Sequence, residues 1–115
     1  MKQSSVLNNL EFNESKAMIT VLFETSFTKE IRIAMHAGTQ MKQHKTSFPK
    51  VVELVEGTRD IWVNVTSCPL QKEDLIALDA SVPQDLKAKA NSIVRLVLNK
   101  NDLTERVEKV IALFY

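Results

Sequence analysis

His44 stands in a frame of residues whose types and spacing could do polar chemistry. Five residues separate Gly38 from His44, one separates His44 from Thr46, three separate Thr46 from Lys50, and six separate Lys50 from Gly57. An imidazole can hold a metal or move a proton. A threonine hydroxyl is a poor metal donor, and a lysine ammonium repels a cation while attracting an anion. One imidazole cannot hold zinc or iron against water. The second histidine, His36, precedes Gly38. A metal set of His36, His44 and Glu53 would need Glu53 to share a face with Lys50. Residues three apart on a strand alternate to opposite faces, so that set is not expected.

The spacing resembles the first motif of the cupins, G-x5-H-x-H-x3-E-x6-G, with Thr46 in place of the second histidine and Lys50 in place of the glutamate. The second motif, G-x5-P-x-G-x2-H-x3-N, can be laid on Glu73, Asp79, Ser81, Gln84 and Ala88 with its spacing kept and its residue types changed. Glu73-Asp74-Leu75-Ile76 and Val82-Pro83-Gln84 resemble steps common in that region. The resemblance covers Ser26 to Asn99 and is closest to small single-domain bacterial cupins with degenerate metal-binding motifs. It implies an all-β fold, the cupin double-stranded β-helix or jelly-roll barrel. It also implies a pocket lined by His44, Thr46, Lys50 and Gln84, with no metal ligand set, no catalytic residue and no cofactor. If Lys50 faces inward, its ammonium needs a carboxylate, an anionic ligand or an open, wet pocket. Asp79 is one candidate partner. Alternatively, Lys50 extends to water at the barrel mouth.

The elements that would position these residues are strands. Ile31, Ile33 and Met35 fall on one face at period two, as do Ile61, Val63 and Val65, and as do Leu86, Ala88 and Ala90. Such alternation marks half-buried strands of an antiparallel sheet. Residues 16–24 read as a further strand. Val51 to Val55 and Ile93 to Leu98 are more continuously apolar, as strands covered on both faces are. Turns are expected at 36–38, 47–49, 56–58, 67–69 and 81–83, each carrying Gly or Pro. The expected organisation is an N-terminal arm or edge strand over residues 1–15, a barrel over 16–100 and a C-terminal helix over 101–115. Asp102 and Glu105 form a capping-box pattern at the start of that helix.

Composition narrows the function classes. The chain has 115 residues, enough for one domain with a core of its own. Fifteen basic and fourteen acidic residues give a net charge of +1, with no basic stripe of the kind nucleic acid requires. No apolar run is long enough to span a bilayer. The first ten residues carry no apolar signal core, and the single cysteine, Cys68, can form no internal disulfide, so a cytoplasmic setting is expected. Cys68 reads as a solvent-facing thiol in a Ser-Cys-Pro turn. Trp62 reads as a packing or interface aromatic, although the pattern leaves open which face it takes.

Together these readings point to a metal-free small cupin of noncatalytic type, a homodimer binding a small molecule, with an anion among the candidate ligands. The alternative is a metal-dependent or acid/base enzyme of dioxygenase or isomerase type using His44. Cupin sugar epimerases pair such a histidine with a tyrosine acid, and the one tyrosine here is Tyr115. A sensor role would need a separate partner, because no helix-turn-helix pattern is present.

Overall fold

Period-two alternation rich in Val and Ile draws the chain between Met18 and Asn99 into strands. The structure is a computed structural model that describes residues 1–44, 48–63, 66–80 and 84–100; of residues 42–44, 59–63 and 84 it describes the backbone. The strands are β1 Met18–Glu24, β2 Thr28–Met35, β3 Gln40–His44, β4 Lys50–Glu56, β5 Arg59–Val63, β6 Thr66–Leu70, β7 Leu75–Leu78, β8 Gln84–Ala88 and β9 Ser92–Asn99. They form two antiparallel sheets, in the orders β1-β2-β9-β4-β7 and β3-β8-β5-β6. From β2 to β5 and again from β6 to β9 the chain changes sheet at every step. This is the expected all-β jelly roll. The expected C-terminal helix lies outside the described residues.

One core joins the sheets. The first sheet contributes Ile31, Ile33, Val52, Leu54, Val94 and Leu96; the second contributes Met41, Leu70, Leu86 and Ala88. Burying such side chains contributes roughly 1.5 to 3 kcal/mol each. β9 lies at the centre of the five-stranded sheet, between β2 and β4, which accounts for its nearly unbroken apolar run. The β8 alternation holds for Leu86 and Ala88, which are buried, whereas Ala90 lies exposed in a bend beyond the strand.

Two sequence expectations change. The Ser67-Cys68-Pro69 stretch is not a turn but the middle of β6. Proline cannot donate to a ladder, yet it is tolerated where a strand has a neighbour on one side. β6 is such an edge, pairing with β5 among the described strands. Cys68 is accordingly half-buried rather than solvent-facing. Its Cα pairs with that of Ile61, and Ile61 pairs with the buried Leu86, so the inner face carries positions 61 and 68. Position 62 falls on the outer face, level with Asp85.

The N-terminal segment carries no strand up to Ala17 and lies against the outer face of the five-stranded sheet. Its anchor is Arg32, which is 6% exposed. The guanidinium donates to the carbonyls of Val6 (3.3 Å), Asn8 (2.6 Å) and Asn9 (3.4 Å) and to Thr20 Oγ1 (3.5 Å). On the same face Arg95 donates two hydrogen bonds to the Glu30 carboxylate, at 2.8 and 2.7 Å, and one to Glu53, at 3.2 Å. This ties β2, β9 and β4 together side by side.

Candidate ligand site at one end of the barrel

Register decides which residues reach the interior. In β4, Lys50, Val52 and Leu54 are buried and alternate with half-buried Val51, Glu53 and Val55. Lys50 therefore lies on the inner face, and at 1% exposed it is buried rather than extended into water. Glu53 takes the opposite face, where it meets Arg95. The alternation argued from sequence for this pair holds.

The backbone positions of His44 and Gln84 fall at the same end of the barrel. β3 ends at His44 and β8 begins at Gln84, and their Cα atoms pair. Gln84 is two residues before the buried Leu86, which places position 84 on the inner face. Met41 pairs with Leu86, so an irregularity between Met41 and His44 brings His44 level with Gln84. Only five residues separate His44 from Lys50, at the start of β4. The side chains of His44 and Gln84, and the whole of Thr46, lie outside the described residues. Asp79, a candidate partner for Lys50, follows the end of β7 and is exposed. His36 follows β2 at the opposite end of the barrel, about 20 Å away by strand rise. Its Nδ1 lies 3.0 Å from the Ala37 carbonyl. This distance separates His36 from His44 and removes the set of His36, His44 and Glu53.

The turns at the end of the barrel opposite Lys50 share one backbone feature. Gly38 has φ +88° and Gly57 φ +97°, and these are the two glycines of the first-motif frame. Glu73, laid on the first glycine of the second motif, has φ +75°. That region favours glycine, and a side chain there is strained. At Glu73 the chain takes that conformation without a glycine.

Sequence reasoning missed one inner-face charge. Lys29 lies two residues before Ile31 on β2 and is 7% exposed. Its Nζ is 3.3 Å from Glu24 Oε1, and Glu24 Oε2 is 3.6 Å from Lys100 Nζ. The hydrogen bond from Lys29, aided by the charges of Lys29 and Lys100 against some desolvation, holds the Glu24 carboxyl below its ordinary value. The signal was available, because extending the Ile31–Ile33–Met35 period backwards by one step reaches Lys29.

The chain matches no protein-family model and no curated protein sequence. Solved structures do share its fold. An RmlC-like cupin from Desulfovibrio desulfuricans superposes with a TM-score of 0.77 at 15% identity, covering 86% of this chain and 96% of that one. A protein from Thermus thermophilus gives a TM-score of 0.77 at 17% identity, covering 84% of this chain and 95% of that one. The salicylate 1,2-dioxygenase of Pseudoaminobacter salicylatoxidans gives 0.67 at 18% identity, covering 80% of this chain and 27% of the enzyme.

A divalent metal is the group this fold most readily suggests, and the residues at the motif positions do not fit one. They offer one imidazole, a hydroxyl and an amide, and they place the buried ammonium of Lys50 where the first motif has a carboxylate. Among the described residues, no three His, Cys, Asp or Glu side chains gather as a ligand set. Nor is any helix among them long and apolar enough to cross a membrane. The sheet order, the shared core and the superpositions agree: the chain is a small cupin-fold domain, a single jelly-roll barrel with Lys50 on its inner wall.

Proposed function

We propose that this domain binds a small anionic molecule at the Lys50 end of the barrel, without a metal and without turning the molecule over. Lys50 supplies the charge, and His44, Thr46 and Gln84 supply polar partners around it. The observation that carries this reading is the burial of Lys50 on the inner face, level with the barrel end where β3 and β8 meet. A fixed positive charge on the inner wall favours an anionic ligand over a neutral or cationic one. A thermal-shift screen of the whole chain against carboxylates, phosphate and sulfate tests it. Stabilisation by anions that is absent with neutral isosteres and lost in Lys50→Met supports the reading. A screen that finds only neutral ligands, or turnover of a substrate dependent on His44, contradicts it.

The reading includes a homodimer in a cytoplasmic setting. β1 is a sheet edge among the described strands, and Val21 and Phe27 lie exposed on it and just beyond it. A bare edge is a liability that pairing with a second copy removes. The lone, unbridged Cys68 fits a reducing compartment. Light scattering at micromolar concentration is expected to give twice the chain mass, and a monomer mass removes the dimer from the proposal.

A further inference from the structure

Lys29 and Lys50 occupy one row across the five-stranded sheet. Lys29 pairs with Leu98 on β9. Val51 pairs with Val97, and continuing that register by one residue sets Lys50 level with the other side of Leu98. Lys50 in turn pairs with Leu78 on β7. Lys29, Leu98, Lys50 and Leu78 are all buried, and all share the face that carries the core. The two lysines are thus two strands apart, on the order of 10 Å between Cα atoms. Each has a stem long enough to bring its ammonium towards the barrel end.

Glu24 completes the arrangement. Its Cα pairs with that of Lys29, so it shares the inner face at the edge of the sheet. Its carboxylate lies between Lys29 and Lys100, at 3.3 and 3.6 Å. The Glu24 side chain retains 36% of its exposure and that of Lys29 only 9%. The lysine is therefore fixed in the wall, while the glutamate reaches it from the solvent side. A carboxylate in that position has the charge and size of one end of a ligand.

We propose that this end of the barrel takes a two-headed anion of the dicarboxylate class, one carboxylate meeting Lys50 and the other meeting Lys29 in the place of Glu24. The proposal rests on the anion-binding reading above and adds the class of ligand and a second binding residue. On binding, Glu24 gives up Lys29 and keeps Lys100. The Glu24 carboxylate is thus a competitor built into the chain. No bond is made or broken and no proton is required to move.

Calorimetric titration of the full chain with succinate, butyrate and inorganic phosphate tests this, using the wild type, Lys29→Met, Glu24→Gln and Lys50→Met. The expected result is succinate binding roughly tenfold or more tighter than butyrate. Lys29→Met removes that preference and leaves butyrate unchanged. Glu24→Gln, which frees Lys29 without deleting it, tightens succinate severalfold, a gain that a merely structural Glu24–Lys29 pair would not give. Equal binding of succinate and butyrate, dependent on Lys50 and indifferent to Lys29, overturns the two-headed ligand and leaves the anion site standing. Phosphate binding that depends on both lysines and exceeds that of succinate overturns the dicarboxylate class in favour of a single-headed dianion. Absence of binding by all three anions overturns the proposal together with the reading beneath it. Should Lys29→Met fail to fold, Glu24→Gln decides alone: unchanged or weaker succinate binding overturns the proposal.

Discussion

The Glu73 N–H donates to the Leu54 carbonyl at 2.7 Å, and this bond holds a non-glycine residue at φ +75°. The Leu54 N–H donates in return to the Asp74 carbonyl at 3.0 Å. The turn before β7 is thereby fastened to β4, the strand that carries Lys50. The Glu73 side chain is exposed, so the strain there is offset by backbone bonds rather than by packing. Replacing Glu73 with glycine keeps both bonds and removes the strain, less the extra freedom glycine has when unfolded. Glu73→Gly is expected to stabilise the fold by about 0.5 to 1 kcal/mol. Urea unfolding checks this through a higher midpoint at unchanged slope. A lower midpoint would mean that the Glu73 side chain does something the backbone account leaves out.

Gly57 gives the opposite result. A Cβ there would run into Ser92 Oγ, the Asn91 carbonyl and Ser92 Cα, at φ +97°. Two of these three atoms are backbone and cannot step aside. Gly57→Ala combines left-handed strain with overpacking and is expected to destabilise by about 3 kcal/mol. The melting temperature should fall by roughly 12 to 20 °C. Gly38 is the control, because its Cβ would meet nothing within 4 Å. Gly38→Ala carries the strain alone and should lose about half as much.

The Glu24–Lys29 pair sets a pH dependence. The folded-state pKa of Glu24 is depressed below the ordinary value of 4.5. A carboxyl of that kind stabilises the fold above its unfolded pKa, and the stabilisation is lost as pH falls through the folded value. Between pH 5 and 3 the wild type should therefore lose melting temperature faster than Glu24→Gln, whose amide does not titrate. The gap between the two curves should shrink with added salt, since Glu24 is open to solvent. Parallel curves would show that the pair adds nothing to folding.

The parts of this molecule legible in the sequence are those set by period and spacing. Ile31, Ile33 and Met35 announced β2, and Gly38 and Gly57 announced turns, which the structure shows to be left-handed at both glycines. These are backbone requirements, which leave a regular trace. The burial of Lys50 was not legible, because a lysine at a strand end is equally compatible with a wet rim and with an interior wall. Lys29 was passed over for the same reason: a charged residue beside an apolar alternation looks like its end. Pro69 misled towards a turn because the rule against proline in strands fails at an edge. The clasp of Arg32 on Val6, Asn8 and Asn9 left no trace at all, since its acceptors are main-chain carbonyls that every residue type possesses.

The claim on which the functional account depends is that the buried ammonium of Lys50 receives an anion. Its most direct measurement is the equilibrium affinity of a small carboxylate, by calorimetry, for the wild type and for Lys50→Met, a substitution that keeps the length of the side chain and removes its charge. The account predicts saturable binding by the wild type and a loss of roughly tenfold or more in the variant. Equal affinities in the two proteins, or no saturable binding of carboxylate, phosphate or sulfate by the wild type, would contradict it.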